Sequence, residues 1–513
     1  MRAESLTPRQ WSLVAVVLLL ALLTTVPAPF VGDQALFAVG GDVLAHGGRY
    51  YRDFWDIKQP GVFQFFRAAR LLGVGPVGVH LLELIWTIAL GVLIAFRIRD
   101  HMRTAIGVVA ALGLTVGWWA VIAEPGFQTQ IESLVGLPLA IVLFASDGLP
   151  AVGPARARRR ALVIGVAIGL VAVLKLVLVA VAVAIAVPAV LARLRHAEHR
   201  GDVLPSMLIA VGGAALVIVP FVVAAIGSGV GDIAFDTTFV LPREVAAAGL
   251  NHSLSNFSPW VAGGAHSYGI PSLLALVGVL GLRRRRLDLF DLQLLAWIVV
   301  GVLVMLPQRW SGYQWQLLGV PLGLLAARTV DRWWQLRRTG SLRAAGVTTI
   351  AVVLALVVGL AINAQDPARR VAVLADNGFG LGDSAEAYRR DLSREYAAVA
   401  AELDRVGDVP DGSLYVMGDP LVYVQLGRTQ ALPQNGWSVE QWLDDQWHRF
   451  VQQLDEHRPE VLFVAYYFDT YLDERPEAVQ LLDKRYEEFS RSPQDAYQGG
   501  RWLQLRPDES RSG

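Results

Sequence analysis

The stretch ALVIGVAIGLVAVLKLVLVAVAVAIAVPAVL, residues 161–191, carries one charged side chain, Lys175, in its whole length. About 20 apolar residues cross a hydrocarbon core. The run is therefore too long for one crossing and reads as two short helices with Lys175 at the turn. The rest of the chain agrees. Hydrophobic residues make up 54% of 513 positions and charged residues only 18%, where a soluble protein would hold about a quarter charged. Formal net charge is zero and there is no cysteine, which excludes disulfides, thiolate nucleophiles and Cys-ligated metals.

Working outward from 161–191, further apolar segments fall near 11–30, 73–96, 104–122, 129–146 and 206–226, with shorter ones near 268–282, 292–306, 313–328 and 344–362. That makes about eleven spans of a mainly α, polytopic bundle. The first is too long for a cleaved signal peptide, and Pro27-Ala28-Pro29 is a poor cleavage site. Loops on the N-terminal side hold Arg97/Arg99/Arg103, Arg156/Arg158/Arg159/Arg160, Arg193/Arg195/Arg200, Arg283 to Arg286 and Arg328/Arg332/Arg337/Arg338/Arg343. The opposite loops hold Lys175, Arg243 and Arg309 singly, and a handful in 31–72. The bias of positive charge places the N-terminus in the cytoplasm and, with an odd span count, the first loop and the C-terminus outside. The run at 283–286 is then a topology anchor, not a nucleic-acid patch.

Residues 365–513 are different in kind. SLYVMG (413–418) and EVLFVAYY (460–467) are short β-rich runs, and RWLQLRP (501–507) alternates like an edge strand. The segments 385–406 and 438–457 have helical spacing of apolar residues. The expectation is a membrane domain at 1–364 and a small extracytoplasmic α/β domain at 365–513.

The first external loop, 31–72, begins GDQALFAVGGDVLAHGGRYYRDFWDIKQPGVFQFF (32–66). A loop outside a membrane must be polar to stay wet, but this one is not uniformly so. LFAVGGDVLAHG and VFQFFRAARLLGVG have apolar residues at helical spacing that suit helices lying in the interface plane. Asp33 directly follows the first span.

These residues carry a resemblance. An acidic residue after the first span, then Gly48-Arg49-Tyr50-Tyr51-Arg52-Asp53-Phe54 and Asp56-Ile57-Lys58-Gln59-Pro60, resembles polytopic glycosyltransferases of the GT-C type, in the protein O-mannosyltransferase and aminoarabinose transferase group. That family has many spans, N-terminus in, a lysine near the fifth and sixth helices (here Lys175), a late aromatic-polar loop (here Arg309 to Trp315, with Tyr313) and often an external C-terminal domain. Two departures stand out: Asp33-Gln34 where the family often has Asp-Glu, and Lys58-Gln59-Pro60 where it has Lys-Pro-Pro.

The resemblance implies a plasma-membrane, multi-pass transferase moving a hexosyl or pentosyl group from a polyprenyl-phosphate donor to an extracytoplasmic glycan, lipid or protein. Its leaving group is a lipid phosphate, so a cation at headgroup depth lowers the barrier electrostatically. Lys58 is the first candidate, with Arg52, Arg309, Lys175 and Arg243 on the same expected side. A carboxylate near the anomeric carbon takes the acceptor's proton or steadies the developing positive charge, and Asp33 is the candidate. Asp53, Asp56 and Tyr50 lie in the same loop. Glu124 and Glu132 flank the third and fourth spans, where the family has polar groups facing its cavity. No His/Asp cluster has metal-ligand spacing; a divalent ion would have only Asp33 and Asp56, and no cofactor is implied beyond the donor itself. The rival class, a transporter or flippase of lipid-linked saccharides, calls for inverted repeats and charges at span centres, and the sequence shows neither.

Overall fold

The computed structural model describes residues 6–73, 75–248, 257–282, 287–308, 310–339, 365–380, 382–437 and 443–507. The chain is mostly helical and separates into two compact units that interleave along the sequence. One comprises Met1–Val26, His80–Phe221 and Asn251–Ala372; the other comprises Pro27–Val79, Val222–Leu250 and Val373–Gly513.

Among the described residues, six helices are long and apolar enough to cross a membrane: Pro76–Asp100, Ala105–Ile122, Ile131–Ala151, Leu176–Arg195, Arg200–Gly227 and Phe257–Leu280. Pro8–Leu23 and Leu289–Met305 are shorter apolar helices. The run at 161–191 divides where the sequence suggests. The Pro154–Leu174 helix stops at Lys175, whose φ of −160° and ψ of 101° are extended, and a new helix runs Val179–Arg195. The span expected at 344–362, like the arginine run 283–286, lies outside the described residues.

Polar side chains tie this first unit together at helix ends. The buried Asp331 carboxylate accepts from the Arg103 and Thr104 backbone N–H groups and the Thr104 hydroxyl, meeting the orphan donors where the Ala105–Leu112 helix starts. Trp297, fully buried, donates its indole N–H to the Leu317 carbonyl.

The second unit holds a four-stranded sheet: β1 (Leu414–Met417), β2 (Val461–Ala465), β3 (Tyr486–Arg491) and β4 (Gly500–Leu505), in the order β1-β2-β4-β3. β1 and β2 run parallel, and β4 pairs antiparallel with both β2 and β3. The alternation at 501–507 suggested an edge strand, but β4 is interior. The hairpin partner β3 forms the edge, and its polar sequence YEEFSR gave no strand signal. β1 and β2 are buried throughout, as in a sheet covered on both faces. Tyr415, Met417, Trp447, Phe450, Leu462 and Val464 centre the core under it.

The same unit contains the first loop's two helices, Asp33–Ala45 and Pro60–Ala69. They pack on each other, with Phe37 set edge-on to Phe63 and Phe66. The Asp33–Ala45 helix also packs on the short Leu421–Leu426 helix that follows β1.

Candidate functional site

Between its helices the loop makes a tight turn. Tyr51 adopts φ +69°, a left-handed conformation that is strained for a bulky residue, and its N–H donates to the Phe54 carbonyl. The Tyr51 ring is held in an apolar cluster with Trp55, Val230, Leu241 and Val245. Trp55 also donates its indole N–H to Thr237 at 3.0 Å. Pro60 then starts the next helix and keeps Gln59 extended, at φ −72° and ψ 152°.

That path delivers Asp56 and Lys58 together. Tyr50 steadies it, its hydroxyl meeting the Asp56 and Lys58 carbonyl oxygens at 3.1 and 2.6 Å. Asp56 is fully buried, and its Oδ1 accepts the Lys58 backbone N–H at 2.8 Å. Burial lifts the Asp56 carboxyl above the usual carboxylate range; the Lys58 charge and hydrogen bonds oppose the lift, and Asp33 adds to it.

Asp33 arrives from the other side. Gly32 precedes it with φ +55° and ψ −119°, a conformation open to glycine, and so turns the chain into the Asp33–Ala45 helix. Asp33 becomes the first helical residue, where the helix dipole favours negative charge. Gln34, fully buried, accepts the Val31 N–H on its amide oxygen and caps the same turn. Lys58 Nζ lies 3.6 Å from Asp33 Oδ1, 3.6 Å from Asp56 Oδ1, and 5.4 Å from the centre of the Phe37 ring. The Asp33 and Lys58 side chains are each 18% exposed, so the pair is sheltered yet reachable.

Two further members come from the far end of the chain. The Trp55 N–H donates to the Pro433 carbonyl, and the segment after Pro433 runs alongside the loop. Asn435 Nδ2 donates to Asp56 Oδ2 at 2.9 Å and to the Trp55 carbonyl at 3.1 Å. Asn435 Oδ1 accepts the Trp437 backbone N–H, and the Trp437 indole N–H donates to Asp33 Oδ1, both at 3.0 Å. The contacts close into a ring: Asp33, Lys58, Asp56, Asn435, Trp437. A third carboxyl, Asp419, is buried at the head of the Leu421–Leu426 helix, where its Oδ1 accepts the Leu421 N–H. Burial lifts it to about 7, with Glu395 and Asp33 adding to the lift and the Leu421 hydrogen bond opposing it. Asn435, Trp437 and Asp419 escape a reading of the sequence because nothing local marks an NGW or GDP triplet as a neighbour of Asp33.

The other sequence candidates have the following surroundings. Arg52 and Asp53 form an exposed group with Arg49, at 3.9 and 3.6 Å. Arg243 is exposed on the Leu241–Ala247 helix. Arg309 lies outside the described residues. In the other unit, Lys175 and Glu132 pair at 2.6 Å, Glu132 being buried. Glu124 is exposed at the start of the Pro125–Phe127 turn, and Tyr313 is half-buried in the Gly312–Leu318 turn. Glu83 accepts from the Thr129 N–H and hydroxyl and from Ser133. Among the described residues no group of three His, Cys, Asp or Glu could hold a metal.

No family model and no curated protein matches the sequence. Solved structures do. ArnT from Cupriavidus metallidurans bound to undecaprenyl phosphate superposes with a TM-score of 0.62 at 15% identity, covering 97% of this chain and 98% of that one. The fold is the one seen in ArnT. The apo state of ArnT gives a TM-score of 0.57 at 16% identity over 96% of this chain and 97% of that one. Coverage on both sides means that the ArnT likeness extends from the apolar helices through the residues after 364, although so few identities carry architecture alone.

Proposed function

We propose that this protein is a membrane glycosyltransferase that moves a sugar from a polyprenyl-phosphate donor to an acceptor outside the cytoplasm. The observation that carries the reading is Lys58, partly open and held between Asp33 and Asp56, on the fold of a protein captured with undecaprenyl phosphate. A lipid phosphate needs a cation where the leaving charge develops, and a sugar acceptor needs a base for its hydroxyl. In this reading the bond between the anomeric carbon and the phosphate oxygen breaks, the acceptor oxygen bonds to that carbon, and its proton passes to Asp33. Lys58 neutralises the departing phosphate. Tyr50 shapes the turn that carries Lys58, and Arg243, Arg309, Tyr313 and the Glu132–Lys175 pair are candidates for contacts with the rest of the donor and acceptor.

The apolar segments of the sequence support about eleven spans, and the positive-inside bias supports a cytoplasmic N-terminus and an external tail in a plasma membrane. External placement suits the chemistry, because a polyprenyl carrier brings sugar to a compartment that lacks nucleotide sugars.

The test uses the full chain in lipid vesicles given polyprenyl-phosphate-linked sugars and cell-envelope acceptors. Released polyprenyl phosphate, with the sugar recovered on an acceptor by mass spectrometry, is the expected result. Movement of intact donor between leaflets with no bond broken would instead make the protein a flippase.

A further inference from the structure

We infer that Asn435 and Trp437 are positioning residues of the transfer site, so that the segment after β1 completes the charged centre. The inference rests on the proposed roles of Asp33 as base and Lys58 as phosphate partner. A buried carboxylate left short of donors is costly, and a hydrogen bond to a charged group is stronger than a neutral one. Asp56 has no exposed surface, and Asn435 Nδ2 supplies the donor on its Oδ2 while the Lys58 backbone N–H serves Oδ1. That arrangement leaves Asp56 Oδ1 as the oxygen facing the Lys58 ammonium. Asn435 is itself 1% exposed, and its amide is oriented by the Trp437 N–H on its oxygen. Trp437 then spans from this amide to the Asp33 carboxylate, with its indole edge against Gly32. The bond fixes where the Asp33 carboxylate points as the acceptor approaches. Trp437 acts through Asp33, and Asn435 acts through Asp56.

Two sets of variants test this in the full-length protein reconstituted with donor and acceptor. Trp437→Phe keeps an aromatic ring and removes only the N–H. It should lower kcat by about tenfold or more, the loss expected for one hydrogen bond to a charged group, with donor KM little changed. Combined with Asp33→Asn it should cost no more than about threefold beyond Asp33→Asn alone, since interacting groups are not additive. A full additional tenfold would assign Trp437 a purely structural part and overturn the proposal. The second set exchanges acid and amide. Asn435→Asp keeps the acceptor for the Trp437 N–H but faces Asp56 with a second carboxylate, and should raise donor KM by about tenfold or more. Adding Asp56→Asn restores one acid and one amide across the same contact, while the Trp55 carbonyl stays without its donor, and should recover part of that loss. No recovery would overturn the Asn435 assignment. Wild-type rates in Asp33→Asn alone would instead remove the base on which the proposal rests, so the two failures are distinct.

Discussion

At the scale of single residues, Lys58 is a cation shared by two carboxylates. The cluster sums to one negative charge when all three are ionised, so a phosphate entering it meets repulsion as well as the ammonium. Asp56 is the side chain whose burial already favours the proton. Affinity for a polyprenyl phosphodiester, which does not itself titrate near neutrality, should therefore rise as pH falls through the raised Asp56 range, by at most about tenfold per pH unit. Titrating binding in wild type and in Asp56→Asn checks this, and a slope unchanged by the substitution would contradict it. Lys58→Ala should lower kcat/KM by about 10²-fold or more. Lys58→Arg should recover part of this, because a planar guanidinium does not replace a compact ammonium. Equal rates in all three proteins would remove Lys58 from the site. Asp419 bears on stability. Its carboxyl sits at about 7 in the folded protein, above its ordinary value. Its contribution to stability is thus complete below about pH 4, shrinks as pH rises, and is lost above about 7, a change of a few kcal/mol. Asp419→Asn should flatten that part of the thermal unfolding profile between about pH 4 and 7, and an unaltered profile would refute the assignment.

At the scale of elements, a glycine decides whether the Asn435–Trp437 segment can reach the loop. A Cβ on Gly436 would stand 2.1 Å from the Val416 carbonyl oxygen and 3.0 Å from the Met417 Cα, both backbone atoms of β1. The Gly418 N–H to Gly436 carbonyl bond of 3.1 Å holds the two chains at that approach. Gly436→Ala must lift the segment from β1 and with it Asn435 and Trp437. Transfer should fall by about tenfold or more in protein that still inserts and folds, and wild-type turnover would show that the close approach is dispensable. Elements with strong periodicity were legible from sequence: the break at Lys175, the helices at 33–45 and 60–69, and strands β1 and β2 all stand where hydropathy suggests. β3 was not legible, because an edge strand with one solvated face can be almost wholly polar. Position within the sheet was not legible either, since alternation in β4 describes its two faces and not its neighbours.

At the scale of the whole molecule, the compact units do not follow the order of the chain. The first loop and the tail belong to one unit although more than half the sequence lies between them. Asp33 and Lys58 were readable as a pair because the loop is short and its motif is local. The partners that complete their ring were not, because contacts spanning some 380 to 400 positions, Asn435 to Asp56 and Trp437 to Asp33, leave no local pattern. The proposed orientation makes a separate prediction. A reporter fused after Gly513 should be active outside the cytoplasm, and one fused at Arg286 should be active inside. A cytoplasmic C-terminus would mean an even number of spans. The most direct measurement of the central claim is single-turnover transfer by Asp33→Asn protein in vesicles, with donor binding measured in the same sample. Removing the charge while keeping the shape should slow transfer by about 10²-fold or more and leave donor binding as tight or tighter, since one carboxylate no longer repels the phosphate. Transfer at the wild-type rate by folded, inserted Asp33→Asn protein would contradict the account.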